Sequence, residues 1–398
     1  MHRLTTVLGM PQHRFASIHV VGTNGKSSVT RMIAALLDAH GVSAGACVSP
    51  HASRWSERTL IHGKEIGAAE FAAAVERVAQ AAEVVNRTLE EGEAVTQFEV
   101  ATAATFVALA GARVQAAAIE AGLGGRLDAT NTIPSRVTVL TSIGLDHTEW
   151  LGETEVEIAA EKLAVLRDHS TLALGRVSAA VAALAEGVAA ERGARLVRAA
   201  ADPGPELRLR APGPFQRRNF ALALAAAKAF LGELDPDRVA EVAATLAIPG
   251  RLEQIATDPP AFIDAAHNPD GAAALAEALP VATAGRPVVA CLAILADKDA
   301  EAMVRALAPV LDRAVCTELP VEALSAQGRP GAASHPAAEL ARACEAVGLP
   351  AEPETSFPEA LRRARELASE LPGGTLLVTG SHYVLAPARA ALGGAQRT

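Results

Sequence analysis

Short runs of Val, Ile, Leu and Ala, each followed by a stretch whose apolar residues recur at helical spacing, run from one end of this 398-residue chain to the other. A strand buried on both faces shows no polar alternation, and strands of that kind interleaved with helices are what a parallel sheet covered by helices requires. The expected strands are FASIHVV (15–21), GACVS (45–49), VQAAAIE (114–120), VTVLTSI (137–143), TLALG (171–175), AFIDAA (261–266), VVACLAIL (288–295), AVCTEL (314–319) and TLLVTG (375–380). Val29, Met32, Ile33, Leu36 and Leu37 form one apolar stripe on a helix expected to begin at about Ser27, with Gly41 as its C-terminal cap. At roughly 150 residues per domain the length suggests two or three domains, and two are expected. The run ADPGPELRLRAPGPF (201–215) predicts a loop or hairpin crossing, and the boundary is expected near IPGRLEQ (248–254), where a new strand–helix series begins.

Several function classes are disfavoured by composition. A formal net charge of −9 supplies no basic excess for nucleic acid. Cys47, Cys291, Cys316 and Cys344 show no paired spacing, so neither a disulfide framework nor a zinc site is expected and a reducing cytoplasm fits best. The N-terminal stretch lacks a secretory pattern. The most apolar window, 100–119, is interrupted by Arg113 and Gln115 and reads as a buried helix plus a strand, not a membrane span.

Three stretches carry chemistry. In HVVGTNGKSSVTRM (19–32) a buried strand meets a glycine-containing turn and a helix, which aims backbone N–H groups and the positive helix end at a phosphate, with Lys26 as a point charge. The common G-x-x-x-x-G-K-[ST] fingerprint would want glycine where Val20 stands. In AAIEAGLGGRLDATN (117–131) Glu120 ends a strand, Gly122, Gly124 and Gly125 leave room for a ligand or metal to approach backbone, and Arg126 and Asp128 add opposite charges. In TSIGLDHTEWLG (141–152) Asp146 and His147 follow a third strand. Lys26, Glu120 and His147 are thus expected at the C-terminal edge of one sheet, where open α/β sheets bind ligands. A neutral His and a carboxylate could share a divalent ion that bridges phosphate oxygens. Thr154-x-x-Glu157 predicts a capping box at the start of the helix bearing Lys162, which alone would read as a solvated surface lysine.

GTNGKSS, SPHASRWSERT (49–59), TQFEVAT (96–102), EAGLGGRLDATN, TSIGLDHTEWLG, the EK at 161–162, PGRLE (249–253), DAAHNP (264–269) and TGSHY (379–383) follow the order and spacing of one family. By them the chain resembles the folylpolyglutamate synthase / dihydrofolate synthase family of ATP-dependent Mur-ligase-like amide ligases, over nearly its whole length. The resemblance implies an α/β fold: an N-terminal P-loop ATPase-type parallel-sheet domain (1–247) and a smaller C-terminal Rossmann-like domain (248–398). It implies that Asn24, Gly25, Lys26, Ser27 and Ser28 form the ATP loop, that Ser49, Glu120 and His147 bind magnesium, and that Lys162 is carbamylated and serves a second magnesium ion. Thr96, Gln97, Phe98 and Glu99, with Leu127, Asp128 and Ala129, match pterin-contacting segments. Asn219, Arg251 and Asp264 match ATP-holding positions, and His267 one close to the phosphates. SPHASRWSER resembles the family's folate-side loop, with Trp55 in a commonly aromatic place. Where members often read GKGS and DGAHNP, this chain has GKSS and DAAHNP, so Ala265 calls for an ordinary backbone conformation. Either Ser27 or Ser28 could face a metal-bound phosphate.

The implied reaction activates the carboxylate of dihydropteroate or tetrahydrofolate as an acyl phosphate, which the α-amine of L-glutamate attacks. Lys26, His147, Lys162, Arg251 and His267 are the expected catalytic set, and Lys298, Ser381 and His382 are candidates for the glutamate pocket. A monomer acting on small molecules, with no nucleic acid or membrane partner, is expected. The alternatives are a Mur-like ligase joining another acid to an amino acid and a non-catalytic nucleotide-binding switch. The switch would have no use for Glu120, His147 and Lys162 together.

Overall fold

The computed structural model describes residues 1–320, 324 and 331–393. Contacts divide the chain into two units, Met1–Arg210 with Gln216–Leu246, and Ala211–Phe215 with Ala247–Thr398. The first unit holds β1 (Ala16–Val21), β2 (Ala44–Cys47), β3 (Thr59–Ile61), β4 (Lys64–Glu65), β5 (Ala116–Glu120), β6 (Ser135–Leu140), β7 (Thr171–Leu174) and β8 (Arg195–Arg198). They form one sheet in the order β4-β3-β2-β5-β1-β6-β7-β8. From β2 to β8 every neighbouring pair is parallel, and β3 and β4 add an antiparallel edge. The central strands β2 and β5 are buried along their whole length, which is why the runs AGAC and AAAIE, with no polar alternation, form them.

In the second unit β9 (Glu253–Thr257), β10 (Pro260–Ile263), β11 (Val288–Leu292), β12 (Arg313–Cys316), β13 (Ala351–Pro353) and β14 (Thr375–Thr379) form a sheet in the order β13-β12-β11-β14-β10-β9. Only the β9–β10 pair is antiparallel. The sheets are therefore mixed at their edges and parallel within.

Each apolar run picked out in the sequence contains all or most of a strand, although the strand within VVACLAIL ends at Leu292 and the one within AFIDAA at Ile263. The strands without a sequence signal are β3, β4, β8, β9 and β13, which are short or half exposed and are held by backbone pairing. Residues 201–213 form a loop, so the hairpin alternative does not occur there, and a helix begins at Pro214. The helix Lys26–Ala39 starts one residue earlier than expected, and Gly41, at φ +80°, follows its end in the left-handed conformation that glycine adopts without strain.

Helices cover the first sheet on both faces. Leu163, Leu166, Leu172 and Val181 pack in one core, and Phe15, Phe106, Leu109 and Ile119 in another. Phe106 is fully buried, so truncating it to Ala would cost roughly 3–5 kcal/mol. Among the described residues no helix is long and apolar enough to cross a membrane.

Candidate active site

The order β2-β5-β1-β6 places the ends of four adjacent parallel strands side by side, and the segments that leave them carry Ser49, Glu120, the loop 22–27, and Asp146 with His147. The loop is shaped by two glycines. Gly22 sits at φ +145°, and a Cβ there would lie 1.9 Å from Thr141 Oγ1; Gly25 sits at φ +84°, and a Cβ there would lie 2.6 Å from Asn219 Oδ1. The backbone is thus pressed against the β6 exit on one side and the Asn219 side chain on the other. Thr23 N donates to Ser142 O at 2.7 Å, Asn24 N to Ser142 Oγ at 3.2 Å, and Thr141 Oγ1 to Asn24 O at 2.7 Å. Lys26 folds back over the turn, Nζ donating to Gly22 O at 3.1 Å and Thr23 O at 3.0 Å.

Glu120 ties two of these segments together. Its carboxylate, 2% exposed, accepts from Ser27 Oγ at 2.9 Å and from Ser49 N at 2.8 Å, while Ser27 Oγ also lies 3.1 Å from Ser49 O. Helical phase separates the two serines. Ser28 is buried and its Oγ accepts from Gln216 Nε2 at 3.3 Å, while Asn219 Nδ2 donates to Gln216 Oε1 at 3.0 Å. Ser27 is therefore the hydroxyl on the carboxylate side. Gln216 was missed by the sequence reading, although its i, i+3 spacing to Asn219 puts both on one helix face.

Lys162 is not the surface lysine that its helix position alone suggested. It is 4% exposed, and burial first, then the positive charge of Lys26, push its ammonium down to about 7 against the carboxylates of Asp146, Asp128 and Glu161. Its helix opens with the expected capping box, Thr154 Oγ1 accepting from Glu157 N and Glu157 accepting from Thr154 N. His147 takes a left-handed backbone at φ +53° that starts a short helix, with Asp146 Oδ1 3.8 Å from its Nε2.

On the side that each Cβ would take, the room left by the glycines after Glu120 is filled by other parts of the protein. A Cβ on Gly122 would lie 2.4 Å from the Phe98 ring, and one on Gly125 would meet the carbonyls of Glu161 and Lys162 at 2.7 and 2.8 Å. They let other parts of the protein close in, and so press this loop against the helix that carries Lys162. Asp128 folds back into the same loop, Oδ2 accepting from Gly122 N at 3.0 Å and Leu123 N at 2.9 Å, whereas Leu127 is 91% exposed. Arg126 pairs with Glu161, and Ala129 is buried. Thr96 and Glu99 form a second capping box and Gln97 is exposed.

Beside Glu120 lies a small cavity lined by Ser49, Arg58, Phe98, Thr102 and Glu120 among others. The Arg58 guanidinium lies 4.6 Å from the Trp55 ring centroid and 5.8 Å from that of Phe98, and its Nε donates to His51 Nδ1 at 3.0 Å. Burial and the Arg58 charge push His51 down to about 4, so the ring is a neutral acceptor. Arg58 and His51 stand in the SPHASRWSER stretch but were not singled out, because nothing in the sequence says that the guanidinium packs against the rings.

In the second unit Asp264 is buried, its oxygens accepting from Leu252 N at 2.7 Å and Ala266 N at 2.8 Å. Burial raises its pKa, opposed by Arg251, by these two donors and by His267. His267 Nδ1 lies 2.9 Å from Ala265 O, and Ala265 has no positive φ, as the alanine at that place demanded. Lys298 lies 3.5 Å from Asp297, Ser381 accepts from Tyr383 N, and His382 meets Tyr383 edge to face.

Among the described residues no cluster of three or more His, Cys, Asp or Glu side chains could hold a metal. Any ion at the strand ends would need hydroxyl oxygens, a modified lysine or phosphate oxygens in its shell.

Two family models match the chain: the Mur ligase middle domain over residues 20–202 and the Mur ligase, glutamate ligase domain over residues 250–382. A dihydrofolate synthase/folylpolyglutamate synthase of Mycobacterium tuberculosis is 37% identical over 366 residues, which cover 81% of this chain and 75% of that protein. The solved structure of the Mycobacterium tuberculosis folylpolyglutamate synthase complexed with ADP has a TM-score of 0.89 at 33% identity, covering 98% of this chain and 93% of that one. A bifunctional folylpolyglutamate synthase/dihydrofolate synthase with Mn, AMPPNP and L-glutamate bound has a TM-score of 0.81 at 27% identity, covering 98% and 93%.

Proposed function

Because this chain belongs to the dihydrofolate synthase/folylpolyglutamate synthase family of Mur ligases, we propose that it is an ATP-dependent, ADP-forming ligase that joins L-glutamate to dihydropteroate, to tetrahydrofolate, or to both. The observation that carries this reading is the convergence of Lys26, Ser27, Ser49 and Glu120 at adjacent strand ends, with Lys162 buried within reach of the Lys26 charge.

The γ-phosphoryl group of ATP passes to the substrate carboxylate, and the α-amine of glutamate then attacks the acyl carbon, forming the amide and releasing phosphate. Phosphoryl transfer asks the protein for position and charge neutralisation more than for covalent chemistry. The uncapped start of the helix Lys26–Ala39 and the Lys26 ammonium supply positive potential for the phosphates, with Asn24, Gly25, Ser27, Ser28 and Asn219 shaping that loop. Arg251, Asp264 and His267 serve ATP from the second unit. Phe98, Leu127 and Ala129, with Thr96, Gln97, Glu99 and Asp128 ordering their segments, receive the pterin.

Magnesium fits the donors: Ser49, Glu120, His147 and Lys162 would hold two ions, and hard oxygens such as those clustered at Glu120 are its preferred ligands. When bound, it would neutralise phosphate oxygens during transfer. The Lys162 amine, at a pKa of about 7, is substantially neutral at neutral pH, which is the form that adds to carbon dioxide to give an anionic carbamate oxygen.

The test is a paired assay of phosphate release and product mass with dihydropteroate and with tetrahydrofolate as acceptor, in ATP, Mg2+ and L-glutamate. Stimulation by either acceptor with a mass gain of one glutamate is expected. No stimulation by either would refute the reading.

A further inference from the structure

His19 is fully buried in β1, between register partners Ile119 of β5 and Thr138 of β6. Its Nε2 lies 2.8 Å from Thr130 Oγ1, and the Thr130 hydroxyl in turn donates to Asp128 Oδ1. A hydroxyl has one proton, so with that proton given to Asp128 the ring must donate from Nε2, which fixes the tautomer. Asp128 spends its other oxygen on the amides of Gly122 and Leu123, the first free residues of the loop that follows Glu120. Arg167 also holds this turn, donating to Asn131 O at 2.6 Å and Ile133 O at 3.1 Å.

The composition of this chain of bonds has no structural economy. Among the described residues His19 Nδ1 and Thr138 Oγ1, neighbours in register, have no hydrogen-bond partner, and an apolar pair would fill that space without the desolvation penalty. Burial, with the nearby Arg167 charge, pushes the ring down to about 3, so it stays neutral, with Nε2 as its one donor and Nδ1 as an acceptor. The loop it reaches leads from Glu120 to Leu127 and Ala129 and packs Gly125 against the backbone of Lys162.

We infer that His19 is a positioning residue for the ligase reaction: through Thr130 and Asp128 it sets the 121–129 loop, and with it the register of Glu120 and the acceptor-contacting residues against Lys162. This inference rests on the function proposed above for what the loop does, but the ordering of the loop can be measured without that function.

The variants are chosen by reach. His19→Gln keeps an N–H donor near the depth of Nε2, His19→Asn places one near the depth of Nδ1, Thr130→Val deletes the relay hydroxyl, and Thr130→Ser keeps it. In hydrogen–deuterium exchange on the full chain without ligands, His19→Asn and Thr130→Val are expected to speed exchange of the Gly122 and Leu123 amides about tenfold, the factor one ordinary buried hydrogen bond represents. His19→Gln and Thr130→Ser should stay within about twofold of the parent on the same scale. In the ligase assay kcat/KM should follow the same split with the unfolding midpoint of Thr130→Val held close to that of Thr130→Ser. The double variant His19→Asn/Thr130→Val should lose no more than the worse single variant, because both cut one chain. Equal exchange in Thr130→Val and Thr130→Ser, or losses that multiply in the double variant, overturn the inference. Should His19→Asn fail to fold, the Thr130 pair alone decides. A parent protein that turns over neither acceptor defeats the proposed function and leaves the exchange test standing.

Discussion

The turn after β1 and the turn after β10 each lead from a buried parallel strand into a helix of 14 residues, yet they satisfy their backbone in opposite ways. After β10, Asn268 Oδ1 caps the helix by accepting from Gly271 N at 2.8 Å, and Asp264 takes two more amides. After β1 the cap position is Gly25, at φ +84°, and no side chain caps the helix. A helix start that no side chain closes is suited to bind an anion with its own N–H groups, whereas a closed one serves stability. The first turn is shaped for a ligand and the second chiefly for itself, and substitutions in the two should separate activity from stability.

The largest effect is expected at Lys26. Lys26→Met should lower kcat in the ligase assay by about 10²–10³, the usual loss when one charge-stabilising group is removed from a transfer site. Its unfolding midpoint should move little, since the lost bonds to Gly22 O and Thr23 O are only partly buried. Near-normal turnover would break the comparison at its strongest point.

How far the sequence foretold this depends on which force decides each feature. Central strands were legible because burial on both faces leaves an unmistakable apolar run, and the sheet then carries Lys26 and Glu120 to one edge without further information. Edge strands such as β4, KE, and β8, RLVR, were not, because backbone pairing makes them and any side chain permits it. The burial of Lys162, a residue that only the family resemblance singles out, is hidden for a related reason. Its burial comes from the loop around Gly125 closing on its helix, a contact between segments far apart in sequence. The glycines of that loop are legible as places of close approach, but a missing Cβ tells only that something comes close, not whether it is ligand or protein.

A second contrast lies in the buried titratable groups. His19 in the first unit has its pKa pushed down to about 3, while burial raises that of Asp264 in the second. Unfolded histidine binds a proton below about 6.5, so stability from a neutral His19 is complete above that pH and drains away as pH falls toward 3. The limiting slope is about 1.4 kcal/mol per pH unit and is not fully reached just below pH 6.5, so denaturant titrations of the parent at pH 6 and pH 4 should differ by about 2.5 kcal/mol more than those of His19→Gln. Asp264 works the other way, since acid lets a disfavoured carboxylate take up a proton. Parallel pH curves for parent and His19→Gln would show that the ring is not held neutral.

Gly25 tests the shape of the first turn. In Gly25→Ala the left-handed conformation costs about 1–2 kcal/mol, and the new Cβ would lie 2.6 Å from Asn219 Oδ1, pushing aside the side chain that flanks the loop. Stability should fall by that amount in denaturant titration and nucleotide affinity should fall with it. The reverse swap in the other turn, Ala265→Gly, only adds backbone freedom and should cost about 0.5–1 kcal/mol. Similar losses of affinity from both swaps would mean that the turns are not specialised as argued.

The smallest effect sharpens the comparison most. Asn268→Ala removes a side-chain cap, and such a change costs about 1 kcal/mol, which for a unit of this size is a shift of about 2–4 °C in Tm. The amide of Gly271 then turns to water, and the helix Pro269–Ala282 keeps Pro269 at its first position to hold its start. If the cap is purely structural, kcat and the KM for ATP stay at parent values while Tm falls. A loss of turnover without a loss of Tm would assign Asn268 to the nucleotide as well. The second turn would then share the work of the first, and the difference between them would be one of degree.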